Sequence, residues 1–288
     1  MKEVVLGIDI GGSHITAALV NVSQNEELPE SRKRSRVRSN GTIEQILEDW
    51  SKTILDTLST YAGKVDHAYI AMPGPLNYRK GICLIQNQRK YGALYGLNLK
   101  QLLSPAIGIK PSNIFFMNDA ACFLKGETSS GSVADDGVIA LTIGTGLGTA
   151  FSKNGMMQDA NFWKIPFKDG IAEDYISTRW FIKRYLELSG KVIKDVKDLV
   201  ENHSSEPEFK VIFEEFSLNL ASFMYLFIRK KMPVSAVIGG NISHASDYFL
   251  NDTRKHLAGI MGYSLQVKRS ELGEKAIMLG AVPSSIKP

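Results

Sequence analysis

From Lys2 to Val22 the apolar positions form two strand-like runs separated by Gly11-Gly12, and residues 31–39 ("SRKRSRVRS") add a basic run with alternating spacing. This pattern predicts an antiparallel meander. The basic run lacks interleaved aromatics and reads as an exposed edge strand protected by its charges, not as a track for nucleic acid. Ile43, Ile46, Leu47, Trp50, Ile54, Leu55 and Leu58 then recur at helical spacing behind Thr42, which predicts a helix capped by that threonine. "HAYIAMPGPLN" and "NIFFMNDA" are short apolar runs that end in polar or turn residues, and are expected to be buried strands delivering loops to one sheet edge.

A second round begins near Gly137. "GVIALTIGTGLGTAFSKNG" repeats the apolar run, glycine turn, apolar run and Asn-Gly turn of the opening, which predicts two domains of related topology. "AEDYISTRWFIKRYLELSG" and "EFKVIFEEFSLNLASFMYLFIRKKM" are expected to be helices, the second with its aromatics in the core. "VSAVIGGNIS" reads as a strand entering a third glycine turn, and "EKAIMLGAV" as a final helix.

Composition narrows the class. With 288 residues, 44% hydrophobic and 22% charged, the chain fits a globular protein of two domains. Lys and Arg number 34 against 30 Asp and Glu, an excess too mild to imply nucleic acid. No apolar stretch of membrane-spanning length is evident, and Met1-Lys2-Glu3 enters a strand with no signal-peptide core, so a cytoplasmic protein without membrane association is expected. Cys83 and Cys122 are too few for a disulfide framework and are expected to be buried apolar residues.

The candidate chemistry lies at strand ends. Turns at Gly11-Gly12, Gly144-Thr145-Gly146 and Gly239-Gly240 lack Cβ atoms that would keep a phosphate from backbone N–H groups, and Ser13 and Thr145 add hydroxyls. One such turn alone would be an ordinary hairpin. Asn118-Asp119 stands where a buried run meets a helical one, so Asp119 is either a helix cap or a general base near nucleotide phosphates.

"GIDIGGSHITAALV", "AMPGPLN", "MNDAACFLKGE", "LTIGTGLGTAF" and "VIGGNIS", in this order, resemble the repressor, open reading frame, kinase (ROK) family of sugar kinases over nearly the whole chain. The resemblance implies an α/β protein of the actin/hexokinase-like fold, with two ribonuclease H-like domains flanking a cleft for ATP and sugar. The domains would be residues 1–118 and 119–272, with a helix at about 273–288 packing back on the first. The family's pattern makes Asp119 the catalytic base and Asn118 its neighbouring sugar ligand. Asp9 would hold Mg²⁺ through water, and Gly11, Gly12 and Ser13 would line the phosphate path. Thr145 and Gly146 would hold the triphosphate, and Gly239 and Gly240 would approach the adenosine. Asn87 matches a further sugar ligand, or is a turn residue. The partners implied are a small-molecule sugar and a second copy of the chain in a homodimer.

Departures from the pattern bear on the substrate. Residues 154–177 contain neither Cys nor His, so the family's zinc knuckle and Glu-x-Gly-His segment are missing and no zinc is expected. Glu173 would survive as the carboxylate that grips sugar hydroxyls, or is an acid favoured at a helix N-terminus. Asn161 and Lys164 either replace the missing Glu and His, or belong to a packed loop with Phe162 and Trp163 buried and Lys164 in solvent. His14 stands where the family often has lysine, replacing a fixed charge with a titratable ring. Two functions stay open: an ATP-dependent sugar kinase, or a non-catalytic sugar- or nucleotide-binding member. A DNA-binding repressor would need a helix-turn-helix ahead of Val4 and is not expected.

Overall fold

The computed structural model describes residues 3–86, 88, 90–283 and 285. Two compact units make up the chain. The first comprises residues 1–126 with 275–288, and the second residues 127–274. The first unit thus runs past the Asn118 boundary read from the sequence and into the helix that follows it.

In the first unit β1 (Val4–Ile10) and β2 (His14–Asn21) form the predicted hairpin, and β3 (Glu26–Glu27) and β4 (Lys33–Arg36) both pair with β2. The basic run is therefore an edge strand with half its side chains exposed. Helix α1 (Ile43–Leu58) starts at Thr42, whose side chain accepts from Gln45 N while Gln45 returns a bond to the Thr42 amide. That reciprocal pair closes two of the unpaired amides of the first turn. Next come β5 (Ala68–Met72), a small β6 (Leu76–Asn77) and β7 (Ile82–Cys83) hairpin, α2 (Leu99–Ile107), β8 (Ile114–Asn118) and α3 (Asp119–Ser129). The main sheet runs β3-β2-β1-β5-β8, with β1, β5 and β8 mutually parallel.

Val4, Leu6, Ile8 and Ile10 of β1 enter a core with Trp50 and Ile54 of α1. On the opposite face Gly7 lies under Met278 of the closing helix (Lys275–Ala281); a Cβ there would fall 2.8 Å from Met278 Cγ. Burial on both faces explains why β1 reads as a nearly unbroken apolar run. The closing helix is shorter than residues 273–288, and residues 284 and 286–288 of that expectation lie outside the described residues. It meets α3 backbone to backbone, since a Cβ on Gly280 would stand 1.8 Å from Cys122 O and one on Gly126 2.1 Å from Ala276 O. Alanine for glycine in a helix ordinarily stabilises by ~0.5–1 kcal/mol. Here steric overlap reverses the sign, and Gly280→Ala should lower stability by about 1–3 kcal/mol, read as a lower urea midpoint. An unchanged or raised midpoint would show that the two helices can separate without penalty.

The second unit repeats the arrangement. Strands β9 (Val138–Ile143), β10 (Leu147–Lys153) and β11 (Met156–Asp159) form the meander, followed by the short β12 (Pro166–Phe167) and β13 (Gly170–Ile171) hairpin. Helices α4 (Ala172–Tyr175), α5 (Thr178–Ser189), α6 (Val196–Asn202) and α7 (Pro207–Lys231) precede β14 (Ser235–Gly239), α8 (Leu250–Met261) and β15 (Gln266–Arg269). The sheet order β11-β10-β9-β14-β15 has the same sense, strand for strand, as β3-β2-β1-β5-β8. The internal duplication read from the two glycine-turn rounds is thus present in the topology.

Two sequence readings need correction. The run expected as one helix breaks between Tyr175 and Thr178, because Ser177 is extended (φ −154°, ψ 166°) and the Thr178 amide leaves the helix to reach Gly144 O at 2.7 Å. The second concerns α7, which has 25 residues and is long and apolar enough, by length and composition, to cross a membrane. Its Phe209, Phe213, Phe216, Phe223 and Phe227 are instead buried in the core of this unit, as the aromatic spacing predicts.

Candidate active site

Gly11-Gly12-Ser13 is a hairpin turn and something more. Gly11 N donates to His14 O at 2.8 Å, closing the hairpin, and the three turn carbonyls are each engaged: Gly11 O by Tyr91 Oη, Gly12 O by Ser39 Oγ (2.6 Å) and Ser13 O by Val37 N (2.9 Å). For the amides of Gly12 and Ser13 no protein acceptor is found among the described residues. An exposed turn with its carbonyls held and the Gly12 and Ser13 amides unclaimed has the polarity an anion needs. The His14 ring bonds Ser13 Oγ through Nδ1 at 3.0 Å.

The same sheet edge carries the carboxylates of this unit. Asp9 lies level with Ala71 of the parallel strand β5, and Met72 lies level with Asn118 of β8, so Asp9 and Asn118-Asp119 emerge together from the C-terminal ends of parallel strands. Ligand sites in α/β sheets form at such ends. Asn118 takes the cap of α3, its Oδ1 accepting from Ala121 N at 3.0 Å, and its Nδ2 donates to Tyr78 Oη at 3.3 Å. Capping is therefore done by Asn118, and Asp119 is released for another task. Its carboxyl is half-buried, and burial raises its pKa above the ordinary Asp value, partly offset by the Lys90 ammonium and then by the Ala120 amide. The buried Cys122 thiol is pushed well up, first by burial; Lys125 pulls it down, while Asp119 and Asp9 both raise it, so both carboxylates act electrostatically on one sulfur. Asn87 lies outside the described residues.

In the second unit the two glycine turns pack on each other. Gly144 O accepts from both the amide (2.7 Å) and the hydroxyl (3.0 Å) of Thr178, again a turn carbonyl held by the protein. The Thr145 and Gly146 amides have no protein acceptor among the described residues, and Thr145 is exposed. Gly240 follows β14 at φ 85° and ψ 172°, and a Cβ on it would fall 2.5 Å from Ile143 O. That conformation is essentially reserved to glycine. Glu173 covers the second turn: Oε2 accepts from Leu147 N at 3.0 Å, Oε1 is paired with Arg179 at 2.6 Å, and a Cβ on Gly146 would stand 2.5 Å from Oε2. Asn161 is exposed and left-handed (φ 54°), Phe162 stacks on Phe227 at 4.4 Å, and Lys164 is exposed with its Nζ 6.0 Å from the Trp163 ring. Phe162 and Trp163 are half-buried against the core of this unit, not fully buried as the packed-loop reading has them, and Lys164 is in solvent as that reading expects. Among the described residues no group of three or more His, Cys, Asp or Glu could hold a metal ion by itself.

Each unit thus gathers its own predicted residues: Asp9, Gly11, Gly12, Ser13, His14, Asn118 and Asp119 in the first, Thr145, Gly146, Glu173, Gly239 and Gly240 in the second. The sequence reading missed the residues that hold the turns, namely Tyr91, Ser39 and Thr178, and it missed Lys90. Only Lys90 left a signal, as a cation in "NQRKYG" next to the candidate Asn87.

The comparisons with known proteins agree with this layout. A beta-glucoside kinase of Listeria innocua is 23% identical over 297 residues, covering 96% of this chain and 96% of the relative. A glucokinase of Thermotoga maritima is also 23% identical, covering 97% of this chain and 96% of its own. Among solved structures, a ROK family glucokinase from Streptomyces griseus in complex with glucose and AMPPNP superposes with a TM-score of 0.80 at 21% identity, covering 97% of this chain and 98% of that one. The fold is that of the actin/hexokinase-like sugar kinases. The profile of the ROK family matches residues 5–161, more than half of the sequence, and the chain belongs to that family.

Proposed function

We propose that the protein transfers the terminal phosphoryl group of ATP to a hydroxyl of a hexose or hexose-like sugar. The observation that carries the reading is Asp119: a half-buried carboxyl with a raised pKa, on the sheet edge that bears Asp9 and the Gly11-Gly12 turn. A carboxylate whose pKa is raised is a stronger proton acceptor than an ordinary one. As the sugar oxygen bonds to phosphorus and the bond from phosphorus to the ADP oxygen breaks, the hydroxyl proton passes to the Asp119 carboxylate. In this reading the amides of Gly12 and Ser13 in the first unit, and of Thr145 and Gly146 in the second, would donate to phosphate oxygens, which is most of what phosphoryl transfer asks of a protein. Gly239 and Gly240 let the backbone approach the adenosine.

The residues fit Mg²⁺ as well. Mg²⁺ on a nucleotide keeps several waters and needs only one or two carboxylates, so Asp9 suffices without a dedicated cage. Bound there through water, the ion would neutralise phosphate charge. Asn118, Asn87 and Glu173 are the proposed sugar contacts. Asn161 and Lys164 join them only if their loop turns its polar groups toward the sugar.

The test is coupled ADP release with Mg²⁺, ATP and a panel of glucose, other hexoses and β-glucosides. Sugar-dependent ADP release is expected for at least one member. If no sugar elicits ADP release while one raises the melting temperature, the protein is a binding member of the family instead. On the same panel, Lys164→Ala should leave KM for the sugar within roughly twofold if its ammonium is only solvated. A larger rise in KM would make Lys164 a sugar ligand.

A further inference from the structure

We propose that Lys90 is the fixed cation of the Gly11-Gly12 turn, acting on the phosphoryl group as it passes to the sugar hydroxyl that Asp119 deprotonates. The proposal rests on the kinase reading above and names a residue outside the predicted site.

The geometry has three parts. Lys90 lies along the turn, with its Cδ 3.4 Å from the position a Cβ on Gly12 would take. The segment is fixed there by its neighbour: Tyr91 N donates to Ser39 O at 2.6 Å, Tyr91 Oη donates to Gly11 O at 2.5 Å, and Ser39 Oγ donates to Gly12 O at 2.6 Å. Tyr91 is fully buried, 5.4 Å from the Trp50 ring between centroids. It also holds a left-handed backbone (φ 55°, ψ 18°), which a tyrosine adopts only where the surroundings over-determine it, and such sites concentrate where function requires them. At its far end the ammonium acts electrostatically on Asp119. A half-buried lysine thus has its stem on the phosphate turn and its charge within electrostatic reach of the base.

The chemistry calls for such a charge. The transferring phosphoryl carries negative charge on its equatorial oxygens, and the approach of a carboxylate base adds repulsion. Backbone amides answer the first only in part. The turn itself, residues 11–14, includes a histidine but no lysine or arginine. A lysine serves as a point charge for phosphate without demanding fork geometry.

Lys90→Met keeps the stem over Gly12 and removes the charge. With the best sugar from the panel, kcat should fall by about 10²-fold while KM for the sugar changes by less than about threefold. The acid limb of the pH–rate profile should move up, because a cation that lowers the Asp119 pKa has gone. Lys90→Arg should restore at least about a tenth of the wild-type kcat. Inorganic tripolyphosphate binding, followed by calorimetry, gives a readout independent of turnover and should weaken by about tenfold in Lys90→Met. Unchanged kcat and unchanged tripolyphosphate affinity would overturn the proposal and leave the kinase reading standing. If the wild type turns over no sugar, the kinase reading fails, and tripolyphosphate alone decides whether Lys90 is a phosphate cation.

Discussion

Asp119→Asn should lower kcat by roughly 10²–10⁴-fold, the range typical of a lost general base, with little change in nucleotide affinity. Asparagine keeps the size of the side chain and its bond from the Ala120 amide, so what is removed is proton acceptance. The pH dependence carries the same signature. The carboxylate is the active form and its pKa is raised, so wild-type kcat/KM should fall with decreasing pH through a limb above the ordinary Asp value. Asp119→Asn should lose that limb. Stability separates this effect from unfolding. A carboxyl whose pKa is raised by folding holds its proton more tightly in the folded state, so its stability contribution declines as pH rises through that pKa. Above it, the neutral asparagine should leave the protein at least as stable as the wild type. A lower melting temperature at neutral pH would point to a structural role for the charge.

Gly240→Ala should have the second-largest effect. At φ 85° and ψ 172° an alanine is strained by about 1–3 kcal/mol before any contact is counted. Its Cβ would also stand 2.5 Å from the Ile143 carbonyl and 2.8 Å from the Ile143 amide, both backbone atoms that cannot swing aside. Relief requires the third turn to part from the second, which carries Thr145 and Gly146. Thermal unfolding should therefore show a clear loss of stability, and KM for ATP should rise by at least about tenfold while KM for the sugar moves little. Equal changes in both KM values would mean that the turn serves general packing and not the nucleotide.

What the sequence made legible follows from local physics. Thr42 and Gln45 announce the start of α1 because the capping box is built from neighbouring residues. The glycine turns and the strands around them are legible for the same reason, and their recurrence predicts two sheets of matching order. Asn118-Asp119 is legible as a strand-to-helix corner, although which of the two does the capping depends on side-chain direction. The unread features depend on distant partners. Helical spacing continues through Ser177, yet the helix breaks because Gly144, in another element, claims Thr178. The pairing of Glu173 with Arg179 and the Leu147 amide gives that carboxylate a local task its helix position did not reveal. Lys90 meets the first glycine turn only through the fold, held by Tyr91 and Ser39. The apolar length of α7 reflects the row of aromatics that it packs into the second core.

These assignments divide the work in a way that sequence spacing alone does not. The backbone of the turns supplies donors, their carbonyls are fixed by Tyr91, Ser39 and Thr178, and the carboxylates Asp9 and Asp119 stand at a strand end and a helix start. Rigid supports of this kind suit a reaction in which positioning and charge are the main requirements.

The most direct measurement is transfer of label from ATP carrying a radioactive terminal phosphate, with Mg²⁺ and the hexose and β-glucoside panel, to the sugar itself, in the wild type and in Asp119→Asn. The predicted result is a labelled sugar monophosphate with the wild type for at least one panel member, reduced by two or more orders of magnitude in the variant. No labelled sugar from any member, or equal labelling by the two proteins, would contradict a sugar kinase with Asp119 as its base.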